Sequence, residues 1–375
     1  MVNITIKDLL SEKFRIILVI LGIMVSLLMV HVGTGMTVGM VEQGTSLIDH
    51  AEYDVYIIQS NRENILNEGS VSDEMYEKVN SISGVEGVDK IINLWLGVEY
   101  KDEDEGVNVI ALEKGSSKYL QPWNCIDCDA SDIRNDNNTI VDRIILKFFP
   151  EVKVGSKLKA GQFDEKIKIK GFTENVQHFG NPVMWMNYDT AKRLFNLDNE
   201  STFLGVKLKS GYSAGQLKER LKNFNDEIKV VSAEDMKEST TDYILYDYGL
   251  IYSIGILAAM GFLVTIILIA ITLYQSVVDK IPELVSMKAL GASNGFINKI
   301  LVSQTVLVVS VGFLLSVIIA ILIAPQLTWF SAVPVVVNPL IAVILFGISL
   351  GLGIFCSMFS IRKVHTSDPA IIFRA

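Results

Sequence analysis

The chain has 375 residues, 50% hydrophobic and 20% charged, with a formal net charge of −9 and a mean hydropathy of +0.38. A soluble domain carries nearer a quarter charged residues, and the apolar excess here is gathered into four runs of the ~20 residues that a helix needs to cross a bilayer. Composition therefore excludes a soluble enzyme, a disordered chain and, with 3 cysteines, a disulfide scaffold. The acidic balance argues against nucleic acid as a partner.

Residues 1–13 read as a short cytoplasmic N-terminal segment and 14–41 as the first membrane helix. Its apolar stretch outruns the ~7–15 residues of a signal-peptide core and no A-x-A cleavage site follows, so it reads as an uncleaved anchor. The later runs, 249–274, 300–324 and 340–361, contain no Asp, Glu, Lys or Arg. Lysines and arginines mark the cytoplasmic side of short loops. Lys7, Lys13 and Arg15 precede or open the first run, Lys280, Lys288 and Lys299 fall in the 275–299 loop, and Arg362, Lys363 and Arg374 in the 362–375 tail. The 325–339 loop has no charge. The reading is a multi-pass plasma (inner) membrane protein with both termini cytoplasmic and with 42–248 and 325–339 outside. Trp329 and Phe330 suit the outer headgroup zone.

Segment 42–248 holds 37 acids and 24 bases, a net of −13, and its pattern is mixed α/β. Tyr53–Ile58 reads as a strand. Ser72 caps a helix to Ile82 with Met75 and Val79 on one stripe. Gly84–Gly87 breaks it, and strands follow at 88–99 and 107–112. A related unit returns late: a strand at Thr202–Leu208, an amphipathic helix at Ser213–Phe224 and a strand at Ile228–Val231. This predicts a split α/β subdomain carrying an inserted β-rich subdomain at about 115–200. The insertion includes the alternating strand Lys166–Gly171 and a short helix at Asn187–Phe195.

Little in this domain carries chemistry. Cys125-x-x-Cys128 lacks a thioredoxin-like βαβ setting and reads as a local disulfide clip or as two inert thiols. No second Cys or His pair completes a zinc site. Asp127, Asp129, Asp132 and Asp136 do not match a calcium loop and read as a solvated acidic face. The only histidine at membrane depth, His31, is placed at the outer interface, so no charged relay crosses the membrane. Gly35-x-x-x-Gly39 and Gly347-x-x-x-Gly351 permit close helix contact.

The 275–299 loop is more informative. Pro282 suits a first helical position, Glu283 the positive end of the helix, and Ile281, Leu284, Met287, Ala289 and Leu290 an apolar stripe, with Gly291 as terminator. Ser293 caps the third membrane helix. Gly291-Ala-Ser293-Asn-Gly295 matches the nucleophile elbow G-x-S-x-G, but the setting is helix–turn–helix and carries no catalytic reading. No G-x-x-x-x-G-K-[ST] occurs, so the chain has no P-loop of its own.

Glu283-Leu-Val-Ser-Met-Lys288-Ala-Leu-Gly291-Ala-Ser293 resembles the cytoplasmic signature of MacB/FtsX-type ABC permeases. The basic start Lys13-Phe-Arg15, the tail Asp368-Pro-Ala-Ile-Ile-Phe373 and the order of one helix, a large outer domain and three helices resemble that family too. The resemblance implies that Ile281–Leu290 is the coupling helix, with Glu283, Lys288 and Gly291 at matching positions. Val285 stands where the family commonly has Gly, and Pro282 where it has a base. It further implies an ABC ATPase subunit that binds the ATP, no cofactor in this chain, and a second permease copy, identical or different. The function implied is ATP-driven work by the outer domain on a lipid, lipoprotein or peptide, with or without an extracytoplasmic adaptor. The alternative is FtsX-like activation of an external partner such as a cell-wall hydrolase, without transport.

Overall fold

A computed structural model describes residues 13–160, 165–224, 226–279 and 293–366. The chain forms two compact units. One comprises the first helix up to Val38, Ile251–Leu327 and the chain from Pro334 onward; the other comprises Gly39–Leu250 with Thr328–Val333.

The elements begin with α1 (Lys13–His50), β1 (Val55–Gln59), β2 (Val71–Ser72), α2 (Asp73–Asn80), β3 (Val85–Tyr100) and β4 (Glu103–Leu112). They continue with β5 (Asn138–Asp142), α3 (Ile145–Phe148), β6 (Lys157–Ala160), β7 (Glu165–Thr173), β8 (Gln177–His178), β9 (Asn181–Asn187) and α4 (Tyr188–Leu194). Then come β10 (Glu200–Ser201), β11 (Phe203–Leu208), α5 (Ala214–Arg220), β12 (Ile228–Ser232) and α6 (Ala233–Asp242), and finally α7 (Leu250–Asp279), α8 (Asn294–Ser331) and α9 (Pro339–Thr366). Four of the helices, α1, α7, α8 and α9, are long and apolar enough to cross a membrane.

The membrane unit packs Ile23, Leu27 and Val30 of α1 with Ile269 of α7, Val309 and Phe313 of α8 and Leu345 of α9. Small residues allow the approach. A Cβ on Gly261 would lie 2.9 Å from the Ser26 carbonyl, and one on Gly312 would lie 2.8 Å from Ile23. Ser26 Oγ and Thr265 Oγ1 share a hydrogen bond of 2.7 Å. Such pairs satisfy polar groups where no water can reach them.

Two membrane helices outrun their apolar runs. α1 continues past residue 41 to His50, and α8 runs through Pro325 to Ser331. Proline deletes one intrahelical bond, to the carbonyl four residues earlier, and does not forbid the turns that follow. The outer loop therefore begins at Ala332, whose φ of +58° breaks the helix, and not at Pro325. Its Gly35 is used within the chain: a Cβ there would meet the Val336 carbonyl at 3.0 Å, and Val336 N donates to Gly35 O. Gly347 and Gly351 face open space.

In the outer unit, β12-β1-β11-β3 form an antiparallel sheet from the two ends of the segment. Val55 and Ile57 of β1 and Leu204 and Val206 of β11 bury one face against Met75 and Val79 of α2 and Leu217 of α5. Ser72 caps α2 and Ser213 caps α5, as the sequence predicts. The inserted strands do not make a sheet of their own. The order β3-β4-β9-β5-β7-β6 continues the same sheet, and β6 pairs back onto β3 through Val98↔Ala160 and Glu99↔Lys159. Six strands thus close into a barrel that shares β3 with the split subdomain. Leu96, Val98, Val107, Val109, Ile167 and Ile169 fill it, together with Ile145 and Phe149.

Candidate functional site

The coupling segment, Ile281, Pro282, Glu283, Leu284, Met287, Lys288, Ala289, Leu290 and Gly291, lies outside the described residues. The structure resumes at Ser293, whose hydroxyl accepts from Phe296 N at 3.3 Å. The serine of the G-x-S-x-G match is therefore a helix cap.

A second place where chemistry and mechanics meet is legible only in three dimensions. β8 and β9 form a tight hairpin, with Gln177↔Pro182 and His178↔Asn181 in register. Its two turn residues, Phe179 and Gly180, both have positive φ, +46° and +81°. That is the two-residue hairpin geometry that twists in the sense of the strands, but a phenylalanine there is unusual. Strain of this kind persists only where the surroundings hold it.

Three segments of the outer unit hold it. From α1, Gln43 accepts Gly180 N on its Oε1 at 3.1 Å and donates to Gln177 Oε1 at 3.1 Å. From the loop after α8, Ala332 O accepts from the same Gln43 amide at 2.9 Å. A Cβ on Gly180 would lie 3.1 Å from Ser331 O. From the segment before α7, Tyr248 stacks on Phe179 at 5.6 Å between ring centroids and 4° between planes. Each of these segments leads directly in sequence into a membrane helix. The side-chain amide of Gln43, only 6% exposed, is engaged by the hairpin and by Ala332 together.

The hairpin is anchored from behind by Asp142, which is 1% exposed. Its carboxylate accepts from Val176 N at 2.8 Å, Ile144 N at 3.0 Å, Gln177 Nε2 at 3.3 Å and Thr173 Oγ1 at 3.4 Å. Burial raises its pKa, and these four donors oppose the rise. His178 beside it is pushed down to about 4 by burial, so the hairpin holds a neutral imidazole at neutral pH.

Cys125 and Cys128 form a disulfide with Cα atoms 5.4 Å apart. The clip lies over β7: Ile126 N donates to Phe172 O, and a Cβ on Gly171 would fall 2.4 Å from Asp127 O. Next to it Trp123 stacks on His50 at the end of α1, with centroids 4.3 Å apart. Asp129 and Asp132 are used in a local capping box, and among the described residues no His/Cys/Asp/Glu group could hold a metal ion. His31 is packed between helices. It is 3% exposed and sits edge-on to Phe313 at 5.1 Å, because the small residues around it let α1 and α8 approach. A groove of about 470 Å³ between α1 and α7 is lined by apolar residues, including Leu21, Met29, Leu257 and Met260.

Gln43, Gln177, Asp142 and the turn they hold were not legible as a site. The sequence signal was present as Phe179-Gly-Asn-Pro182, a turn cluster.

Against known proteins, the profile of the MacB-like periplasmic core domain matches residues 16–224, and that of the FtsX-like permease C-terminal region matches 255–369. The chain belongs to the MacB/FtsX-type ABC permeases. An uncharacterised ABC transporter permease of Methanocaldococcus jannaschii is 22% identical over 86% of this chain and 83% of its own length. A Staphylococcus epidermidis protein that carries the name hemin transport system permease protein HrtB is 21% identical over 98% of this chain and 97% of its own. Among solved structures, the extracellular domain of the transporter YknZ from Gram-positive bacteria covers 48% of this permease at a TM-score of 0.35, with 98% of that domain aligned and 15% identity. The periplasmic region of MacB from Actinobacillus actinomycetemcomitans gives 0.38 over 50% of this chain and 92% of its own, at 10% identity. As an ABC permease the chain is a multi-pass membrane subunit, and its relatives imply an ATPase partner.

Proposed function

We propose that this permease is the transmission subunit of an ABC export complex. A separate ATPase acts on the coupling segment Ile281–Gly291 from the cytoplasm, and the outer domain performs the resulting work on a cargo. The observation that carries the reading is the β8–β9 turn, which is gripped at once by α1, by the α8 loop and by the segment leading into α7. A displacement of any of the three helices along its axis reaches the barrel through Gln43, Ala332 or Tyr248. The four membrane runs offer no charged path, which fits work done outside better than passage of an ion through the bilayer.

Cargo is a finer matter. The α1–α7 groove is within the ~300–1,000 Å³ range of small-molecule sites and is apolar, which suits an apolar or amphipathic molecule taken from the bilayer. The names carried by the staphylococcal relatives make hemin the first compound to test.

The experiment is reconstitution with the co-purifying ATPase in lipid nanodiscs. Glu283→Lys and Leu284→Asp should lower permease-stimulated ATP hydrolysis about tenfold or more while leaving the chain folded, the cost of losing one buried contact of a docking surface. Unchanged stimulation would remove the coupling assignment. Hydrolysis stimulated by hemin and reduced by Met29→Trp, which fills the groove, supports that cargo. Hydrolysis tied to a bound external hydrolase, and indifferent to any small molecule, would move the reading to the regulatory alternative.

A further inference from the structure

The outer face of the β6–β7 hairpin carries a ladder of lysines. Lys157 and Lys159 alternate with the buried Leu158 and Ala160, and Lys166, Lys168 and Lys170 alternate with the buried Ile167 and Ile169. The strands pair Lys157 directly with Lys168 and Lys159 with Lys166. Like charges directly opposite on one face destabilise a sheet. Glu99 on β3 neutralises Lys159, at 3.1 Å. Lys157, Lys166, Lys168 and Lys170 have no ion pair among the described residues. The patch stands on a domain whose net charge is −13.

Lysines on strands often guard an open edge against pairing with another chain. That explanation does not reach β7, which carries Lys166, Lys168 and Lys170. β7 lies between β5 and β6, an interior strand with no edge to guard, and β6 is held against β3 at Lys159 and Ala160, so only Lys157 stands beside an open stretch. A repulsive cluster retained without a structural reason points to a ligand.

The chemistry of the patch narrows the partner. Among the described residues, ladder positions 157, 159, 166, 168 and 170 hold neither an aromatic residue nor an arginine, whereas protein–protein interfaces are enriched in both and depleted in lysine. Lysine binds phosphate as a hydrated point charge and demands no fixed geometry. Charges recur about 7 Å apart along each strand and about 5 Å across the pair, a regular ladder that suits a repeating anion. We infer that this face of the barrel binds a linear phosphate-bearing polymer, holding the outer domain against it while the complex works.

The test uses the full chain in nonionic detergent, with linear inorganic polyphosphate as the probe and binding followed by calorimetry at two salt concentrations. Wild-type protein should bind, more weakly at high salt because exposed charges are screened. Replacing Lys157, Lys166, Lys168 and Lys170 together by Gln should raise Kd at least about tenfold, as expected when several surface lysines each contribute to attraction. The same positions as Arg should retain binding. The Gln variant should also unfold at the same or a higher temperature, since it removes repulsion. An unchanged Kd in the Gln variant overturns the proposal, as does a lowered unfolding temperature, which would make the lysines structural. Preference for poly-glutamate of equal charge would assign the face to an acidic protein. Binding to anionic phospholipid vesicles without binding to polyphosphate would assign it to a membrane. None of these outcomes depends on ATP hydrolysis, so the proposal stands or falls apart from the transport reading.

Discussion

A single amide, Gln43, joins three pieces of chain that are far apart in sequence. Replacing it with leucine keeps the bulk and removes the partners of Gly180 N and Ala332 O, leaving buried polar groups unpaired at ~1–3 kcal/mol each. The outer unit of Gln43→Leu should therefore lose about 2 kcal/mol or more in urea unfolding followed by tryptophan fluorescence. Gly171→Ala should cost a similar ~1–3 kcal/mol, the price of overpacking, because the new methyl meets the backbone of the disulfide loop at Asp127 and Cys128. His178 supplies a pH dependence. Its folded pKa of about 4 lies below the ordinary 6.5, so between those values the unfolded chain binds a proton that the folded chain refuses. Stability contributed by the neutral ring is complete above pH 6.5, falls as the pH drops toward 4, and levels off below it, a loss of roughly 3 kcal/mol at most. Asp142 works in the opposite sense, because its raised pKa favours a proton in the folded state at the acid end. His178→Asn should flatten the decline in a pH series of thermal melts; an unaltered profile would remove the histidine from the account.

The elements show how far local pattern reaches. α2 and α5 were legible because capping serines and spaced apolar residues specify a helix without help from the rest of the chain. The four membrane helices were legible because a bilayer demands a long apolar run. Their outer ends were not, because α1 past residue 41 and α8 past Pro325 stay helical on packing within the outer unit, where Gln43 and Ser331 are used. The turn Phe179–Gly180 was hidden for the same reason: its conformation is imposed by partners distant in sequence, Gln43 and Tyr248 among them. Gly180→Ala should be strained by ~1–2 kcal/mol at positive φ and should press on Ser331 O. Hydrogen exchange in 328–333 should rise in that variant while exchange in β6 and β7 stays at the wild-type rate. Between α6 and α7 the chain makes a π-helical turn, Tyr243–Asp247, and then turns at Gly249 with φ +84°. Wide turns of this kind are common where helices do work.

At the scale of the molecule, the split of the outer segment was readable from two strand–helix–strand patterns, but closure of the barrel was not. Pairing of β6 with β3 rests on two residue pairs, Val98↔Ala160 and Glu99↔Lys159, separated by about 60 residues of chain, and no periodicity encodes such a contact. Closure has a consequence for recognition. A peptide that joins a sheet by strand addition needs a free row of backbone amides and carbonyls, and closure of the ring at β3 and β6 leaves only short stretches of one. In the large sheet the strand open along its whole length is β12, which pairs only with β1 among the described residues. A peptide substrate that binds as a full added strand would do so there, beside Lys229. A substrate gripped by the barrel is held mainly by side chains, which frees the barrel to engage molecules that have no peptide backbone.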